Sequence, residues 1–416
     1  MPLDHAAVWT ISLITIALML LRPKKIAEAV WVCGGALLLV LLRLVPLRVA
    51  GDAVAEGTDV YLFLAGMMVL AELGQSHGVF DWLATAAIQH ARHSRTQLFA
   101  LIYAAGTIVT IFMSNDATAV VLTPAVLAAV KKARIEPLPY LLSCAFIANA
   151  ASFVLPISNP ANLVVFHQGM PPLAEWLRVF LAASVLSVIA TFVALYWYCR
   201  DGLRGGIEAD IADGHLSKAG KLALAGIGLV AAVLLVASAL GKDLGLPTCA
   251  ASLFAALVIC AKERQNPLVI AKGASWSVIP LVAGLFVLVE AINRAGASHM
   301  AQAALHVLET WRPTVAAVAA SFGVGVGSNL INNLPLGLIA GTSMNQAHIM
   351  GSLRNAVLIG IDLGPNLSIT GSLATILWLI AIRKEGLHMS GWTFLKAGIV
   401  VMPPALLLAA SVAVAR

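Results

Sequence analysis

Two carboxylates lie where almost nothing charged belongs. Asp116 interrupts an apolar stretch as Ser114-Asn115-Asp116, and Asp362 interrupts another as Asp362-Leu363-Gly364-Pro365-Asn366. An isolated carboxylate at membrane depth is costly, so it must be paired, hydrated or protonated. That condition suits a group that takes up and releases a proton within a transport cycle. Asp116 also stands where it could cap a following helix that starts near Ala117, a role compatible with the first. Asp362 could carry or share the proton, or could be a buried hydrogen-bonding residue that holds an unwound segment together. Near the two acids are Asn115, Thr118, Ser158, Asn159, Asn162, Asn332, Asn333, Asn366, Thr370 and Ser372, with Gly371 among them. Side-chain amides both donate and accept, and hydroxyls do the same. As a set, these residues would bind a small, uncharged, multiply hydroxylated solute. Any single asparagine could instead cap a helix or stabilise a turn.

The elements that must position these groups are unusual. The polar residues fall in four interruptions, two in each half: 114–116 and 156–160, then 331–335 and 362–372. The first interruption recurs after 217 residues and the second after about 213. Paired breaks at corresponding places in two halves point to a transporter site near the bilayer midplane. Unpaired backbone cannot face lipid, so it must line a cavity inside the protein.

Composition agrees. Hydrophobic residues make up 60% of the 416 residues and charged residues 11%, with a mean hydropathy of +0.92. Such a chain reads as a polytopic α-helical membrane protein with essentially no domain outside the bilayer. The net charge of +6 does not imply nucleic acid, because the Lys and Arg residues sit in short loops between apolar spans. The five cysteines (Cys33, Cys144, Cys199, Cys249, Cys260) are scattered, with no CxxC or Cys/His cluster. No disulfide, metal site or cofactor is therefore expected. The N-terminus lacks a basic region and a small-residue cleavage site, so residues 6–22 read as a retained span rather than a signal peptide.

Ordinary spans are predicted at about 6–22, 27–47, 59–76, 173–199, 221–240, 248–262, 277–293 and 391–413. Residues 97–131 would be roughly 50 Å long as one helix, against a hydrocarbon core of about 30 Å. This stretch and its counterpart 313–346 read as re-entrant hairpins with arms of roughly 14–16 residues. Residues 138–168 and 351–382 read as helices broken near their centres, where Pro156, Pro160, Gly364-Pro365 and Gly371 permit unwinding.

Charge tests the scheme. Arg92 and Arg95 flank the first hairpin on one side, and Lys131, Lys132 and Arg134 on the other, so both flanks are cytoplasmic. With Arg22, Lys24, Lys25, Arg200, Arg204, Lys218, Lys221, Lys262, Arg264, Lys272, Arg383 and Lys384, the cytoplasmic loops hold 17 of 26 basic residues. The opposite loops hold Arg48, Lys242, Arg294 and Arg312. The expectation is an all-α polytopic membrane protein with ten spans, two hairpins and both termini outside. Five spans per half is an odd number, so the repeats (1–199 and 221–416, joined by a cytoplasmic linker at 200–220) must be inverted. Residues 77–93 and 294–311 are amphipathic and are expected to lie at the interface before each hairpin. His77, His90 and His93 read as interface residues. Glu72, Glu290 and Arg43 read as snorkelling residues at span ends. Cys144 could meet a thiophilic ligand but reads better as a small buried side chain.

Phe112-Met113-Ser114-Asn115-Asp116 with Leu122-Thr123-Pro124, Asn332-Asn333-Leu334-Pro335, Asp362-Leu363-Gly364-Pro365-Asn366 and Gly371-Ser372-Leu373-Ala374-Thr375-Ile376-Leu377-Trp378 together resemble the ArsB-type arsenite/antimonite efflux permeases of the ion transporter superfamily. The Asn-Asn-Leu-Pro hairpin alone indicates only the superfamily; the phrase beginning at Asp362 is the most specific. The resemblance covers nearly the whole chain. It implies expulsion of trivalent arsenic or antimony, as the neutral hydroxide, in exchange for protons across the inner (cytoplasmic) membrane. In some members a soluble ATPase subunit joins the permease. Carboxylate-transporting relatives carry Ser-Asn-Thr at both tips of the first half, where this chain has Asp116 and Pro160 in the third position. The partners expected are therefore arsenite or antimonite, protons and membrane lipid. Asp116 is the expected proton carrier, with Asp362 second. A sodium/proton antiporter and an anion symporter of the same superfamily are the rival readings, and Asp116 would repel an anion. An enzyme or electron carrier would want His or Cys pairs at helical spacing within spans, and none occurs.

Overall fold

The computed structural model describes residues 3–167, 169–207 and 215–414. Residues 208–214 of the expected linker and Gln168, at the end of the first expected broken helix, lie outside them. The described chain is helical throughout, with one isolated bridge between Ser94 and Gly206. In order, the helices are α1 (Leu3–Leu21), α2 (Glu28–Leu41), α3 (Leu47–Glu56), α4 (Thr58–Ser76), α5 (Val79–His90), α6 (Arg95–Met113), α7 (Asn115–Ala117), α8 (Thr123–Lys132), α9 (Leu138–Ala150), α10 (Pro160–Val165) and α11 (Leu173–Cys199). The second half holds α12 (Lys218–Ala239), α13 (Gly245–Glu263), α14 (Pro267–Gly273), α15 (Val278–Arg294), α16 (Ala297–Glu309), α17 (Pro313–Ile331), α18 (Asn333–Gln346), α19 (Ser352–Leu363), α20 (Leu373–Lys384) and α21 (Gly391–Val414).

Seven described helices are long and apolar enough to cross a bilayer, or nine if the bent pairs α3–α4 (50°) and α14–α15 (45°) each count as one span. This differs from the ten expected spans for a physical reason. The two broken helices are made of pieces too short to qualify, and so is the 14-residue α2 in the expected span 27–47, whereas α6 and α17, expected as short hairpin arms, are 19-residue helices. Outward faces carry apolar residues at fourfold spacing, as on α11, where Leu181, Val185, Ile189 and Val193 are exposed. A helix without charge on that face is stable against lipid and not against water.

The chain turns back at both tips. Ser114 (φ 84°, ψ 160°) and Asn332 (φ 75°, ψ 151°) adopt the same left-handed backbone, each between two helices. After Ser114 the chain returns along α6: the Thr118 hydroxyl bonds Thr110 Oγ1 (2.8 Å) and donates to the Gly106 carbonyl (3.5 Å). A π-helical turn over Thr118–Leu122 links α7 to α8. Tyr140, at the start of α9, donates to the Arg95 carbonyl at the start of α6 (3.2 Å), so α6 begins at the end of the molecule where α8 stops. Arg95 Nε also donates to Gly206 O (3.1 Å), and Lys131 Nζ donates to Glu385 O (2.9 Å). These bonds gather Arg95, Lys131, Arg204 and Lys384 at one basic end.

The two interrupted helices run side by side. In the first, α9 gives way to a turn, a 3-10 segment at Pro156–Ser158 and extended Asn159 before α10. In the second, α19 passes through a 3-10 segment at Gly364–Leu367 and extended Ser368 and Ser372 before α20. They are tied across the halves. Asn149 Nδ2 donates to Asn366 Oδ1 (3.1 Å) and Thr375 Oγ1 (3.2 Å), Asn366 Nδ2 to the Phe146 carbonyl (3.0 Å), and Trp378 Nε1 to the Leu141 carbonyl (3.0 Å). Lipid supplies no hydrophobic drive for such packing, so small residues and buried polar bonds carry it. Helix α17 meets α19 and the start of the 3-10 segment after it through Ser321 and Gly325 on one side and Gly360 and Gly364 on the other, each pair four residues apart. A Cβ at Gly364 would collide with the Gly325 backbone, and one at Gly360 would lie 2.5 Å from the Ser321 carbonyl oxygen.

Candidate functional site

The four breaks converge. A cavity of about 250 Å³ is lined by Asn115 and Asp116 from the first tip, Asn159 and Pro160 from the first break, Asn333 and Leu334 from the second tip, and Leu373 and Ala374 from the second break. Leu64 of α4 and Val278 and Val282 of α15 complete the wall. Asp116, Leu64 and Val278 also line an adjoining cavity of about 600 Å³, with Met67, Met68, Glu72 and Gln75 of α4, Gly273 at the end of α14, and Ala274 and Ser275 just after it. Gln75 and Ser275 are exposed at its mouth. The C-terminal end of α4 belongs to the basic end of the molecule, so this cavity opens there.

Among the described residues, no Lys, Arg or His lines either cavity. Asp116 is half-buried and has no ion-pair or hydrogen-bond partner among the described residues, so its carboxylate meets the cavity contents. Asn115 and Asn333 are each 2% exposed, and their Oδ1 atoms have no protein partner. Both follow a left-handed residue directly and open a helix, which aims both amides at the same space. Buried amides are rarely left unpaired, and a ligand that donates hydrogen bonds would satisfy them.

The tip geometry corrects the spacing read from sequence. Ser114 corresponds to Asn332 and Asn115 to Asn333, an offset of 218 rather than 217. The counterpart of Asp116 is therefore Leu334, and the site has one acid where a symmetric one would have two or none. At the second break the offset of 213 holds: Asn159 and Ser372 both have extended backbone and both cap the helix that follows, through Ala161 N (3.0 Å) and Thr375 N (3.1 Å).

Most of the other expected substrate contacts lie behind the wall and line neither cavity. Ser158 accepts from Leu155 N (3.2 Å) and donates to Ile111 O (3.0 Å), fastening the first break to α6. Asn162 donates to the Ser152 carbonyl (2.9 Å). Thr118 is spent on α6, Asn366 on the bonds between the halves, and Thr370 on the Asn329 carbonyl (2.8 Å). Asn332 donates to Thr370 O (3.2 Å) and caps Leu334 N (3.2 Å), while the Gly371 carbonyl accepts from Asn333 N (2.9 Å). Ser372 bonds Thr375 Oγ1 (2.8 Å).

Asp362 is also absent from the lining. It is fully buried; its Oδ1 accepts from Asn159 Nδ2 (2.6 Å), and its Oδ2 sits beside Ser152, whose hydroxyl is committed to the Asn149 carbonyl (2.7 Å). Asp362 thus touches the cavity only through Asn159.

Sequence reasoning missed Glu72, which it assigned to the interface, together with Gln75 and the two methionines; their spacing along one face of α4 was the available signal. His77 is likewise buried, its Nδ1 bonded to the Leu73 carbonyl (2.8 Å), and is not an interface residue. Cys144 is fully buried and lines neither cavity. Glu290 pairs with Arg294 (2.7 Å).

A third cavity of about 460 Å³ lies at the other end, lined by Glu56, Asp59, Val60, Leu163, Phe166, His167, Met170, Asp243 and Leu244. It is separated from the central cavity by about one helical turn: Val60 against Leu64 on α4, and Leu163 against Pro160 on the wholly buried α10. A turn is about 5.4 Å.

A central cavity built from two tips and two helix breaks, open toward one end and closed toward the other, defines a polytopic membrane transporter. The chain belongs to the family described as Citrate transporter (CitMHS), whose model matches residues 14–361. It is 26% identical over 419 residues to the arsenical pump membrane protein of Escherichia coli (strain K12), with 95% of each chain covered. It is 24% identical over 412 residues to that of Yersinia enterocolitica, again with 95% of each covered. A putative arsenical pump membrane protein of Bacillus subtilis (strain 168) is 23% identical over 418 residues, covering 94% of this chain and 95% of the other. The resemblance to ArsB-type permeases therefore extends over nearly the whole chain. Among solved structures, the YdaH transporter of Alcanivorax borkumensis superposes with a TM-score of 0.58 at 14% identity, over 100% of this chain and 97% of that one, and so shares the fold.

Proposed function

We propose that this chain exports arsenite or antimonite, as the neutral trivalent hydroxide, in exchange for protons, and that it resides in the cytoplasmic membrane. The observation that carries the reading is the central cavity: one unpaired carboxylate, Asp116, beside the free amide oxygens of Asn115 and Asn333, with no cation in the wall. A trihydroxide offers the donors those oxygens lack. Citrate, the substrate in the family's description, is a polyanion that would need a cation partner, and the two cavities offer Asp116 and Glu72 instead. The similarity to arsenical pump membrane proteins supports the same choice.

In the proposed cycle the site holds either a proton on Asp116 or the neutral solute on the amides of Asn115 and Asn333; entry of the solute breaks the Asp116 O–H bond and releases that proton to water, so the two cross in opposite directions. Asp362 holds Asn159 in place rather than carrying the proton. Exit requires the α10 barrier to part from α4 and α18, where a Cβ at Gly341 would lie 2.6 Å from the Val165 carbonyl oxygen. The domain scheme, two inverted repeats at 1–199 and 221–416, is part of the proposal. It is supported by the matched backbone at Ser114 and Asn332 and the matched caps at Asn159 and Ser372.

The test is arsenite uptake into everted vesicles carrying the purified protein. Uptake that follows an imposed pH gradient, needs no sodium and loses its pH response in Asp116→Asn is expected. Sodium-driven proton movement indifferent to arsenite would establish cation exchange instead. A soluble ATPase subunit, if one joins, would add an ATP-dependent component in the same vesicles.

A further inference from the structure

We propose that Glu72 is a second proton-exchanging group, which passes protons between Asp116 and the cytoplasm. The inference rests on the antiport reading above and extends it. Glu72 and Asp116 are the two titratable residues in the wall of the 600 Å³ cavity, the rest of which is largely Leu, Met, Ala and Val. Leu64 stands level with Asp116, and Glu72 is eight residues further along the same face of α4, about 12 Å toward the mouth. That places it between the central acid and the exposed Gln75.

The seat of Glu72 is specific. Its carboxylate lies directly against Gly273, where a Cβ would overlap both carboxylate oxygens. Glu72 forms no ion pair among the described residues. The charged and titratable groups on neighbouring elements at this end are His77 beyond α4, Asp81 on α5, Lys218 and Lys221 on α12, Cys260, Lys262 and Glu263 on α13 with Arg264 just after it, and Lys272 on α14. None of them lines the cavity. A carboxylate with neither a cation nor a hydrogen-bond partner, in an apolar cavity that admits solvent, is free to gain and lose a proton. In the transfer the Asp116 carboxyl O–H bond breaks, solvent in the cavity carries the proton, and an O–H bond forms on the Glu72 carboxylate. Release from Glu72 to bulk water returns Glu72 to its starting state and leaves Asp116 ionised, to take its next proton from the opposite side.

The experiment separates relay from structure by two measurements on the full chain in proteoliposomes, with arsenite as the probe. Arsenite–arsenite exchange at equal pH needs no net proton movement, whereas gradient-driven transport does. Glu72→Gln is expected to slow gradient-driven transport on the order of tenfold or more and to shift its pH profile, with exchange retained. Glu72→Asp should recover part of the rate, and Gly273→Ala, which displaces the carboxylate, should act in the same direction more weakly. A Glu72→Gln protein with the wild-type driven rate and pH profile overturns the proposal, as does one that loses exchange in the same proportion. Asp116→Asn run in parallel distinguishes the two readings: if it keeps its response to the gradient, the antiport mechanism itself fails; if it loses that response while Glu72→Gln behaves as wild type, only the relay fails.

Discussion

Replacing Asp362 tests whether the second buried acid carries a proton or holds an amide. Its Oδ1 accepts from Asn159 Nδ2 at 2.6 Å, and Asn159 uses its own Oδ1 to cap Ala161 N, so the amide has one orientation in the cavity wall. Asp362→Asn keeps an acceptor at Oδ1 but exchanges a hydrogen bond that an ionised acceptor would strengthen for a neutral one, a loss of about 1 kcal/mol. If that loss falls on the position of Asn159, the KM for arsenite rises about fivefold. The new NH2 takes the place of Oδ2, which has no hydrogen-bond partner in the native chain, and can donate to Ser152 Oγ, whose own hydrogen is spent on the Asn149 carbonyl. No further cost in stability is therefore expected, and the melting temperature should stay within a few degrees of the native one. Asp362→Ala removes the acceptor altogether. At about 2 kcal/mol for the broken bond, KM should rise about 30-fold. In both variants the dependence of uptake on the pH gradient should survive, because Asp116 is untouched. Everted-vesicle kinetics and a thermal melt of the detergent-solubilised protein supply the numbers. An Asp362→Asn protein with normal KM and no response to the gradient would refute the assignment and return the proton to Asp362.

Two more outcomes follow from the same geometry. Asn333→Ala removes a cavity amide without touching an acid, so arsenite KM should rise by roughly threefold to tenfold, the worth of about one hydrogen bond, with the pH profile unchanged in the vesicle assay. Gly364→Ala drives a methyl group into the Gly325 backbone and should destabilise the α17–α19 contact by about 1–3 kcal/mol or more, measured as a lower melting temperature; an unchanged melt would mean the two helices are not locked there.

How much of this was legible beforehand differs by residue. Asp116, Asn115, Asn159 and Asn333 were marked by type and by their place in apolar sequence, and the structure brings all four to one cavity. Ser158, Asn162, Asn366, Thr370 and Ser372 were marked by the same rule and line neither the central nor the adjoining cavity, because a polar residue at membrane depth must find a partner whether or not a substrate is present. Composition cannot tell a side chain that bonds its neighbour from one that bonds a solute. Glu72 failed in the opposite sense: four residues from its helix end, it looked like an interface acid. Only the approach of Gly273 from a segment 201 residues away in sequence encloses it.

The amino-acid sequence alone therefore determined the membrane class, the places where helices break and the acid at the first tip. Each follows from local hydropathy, Pro and Gly chemistry and the cost of charge in lipid. Tertiary structure decided the rest. The left-handed turn at Ser114 and Asn332 set the pairing of the tips at 218 residues and gave Asp116 a leucine as its counterpart. Packing of the two broken helices withdrew Asp362 behind Asn159, and the approach of α14 enclosed Glu72. Side-chain direction at a break depends on four segments meeting from distant parts of the chain, and periodicity within any one of them carries no record of the other three.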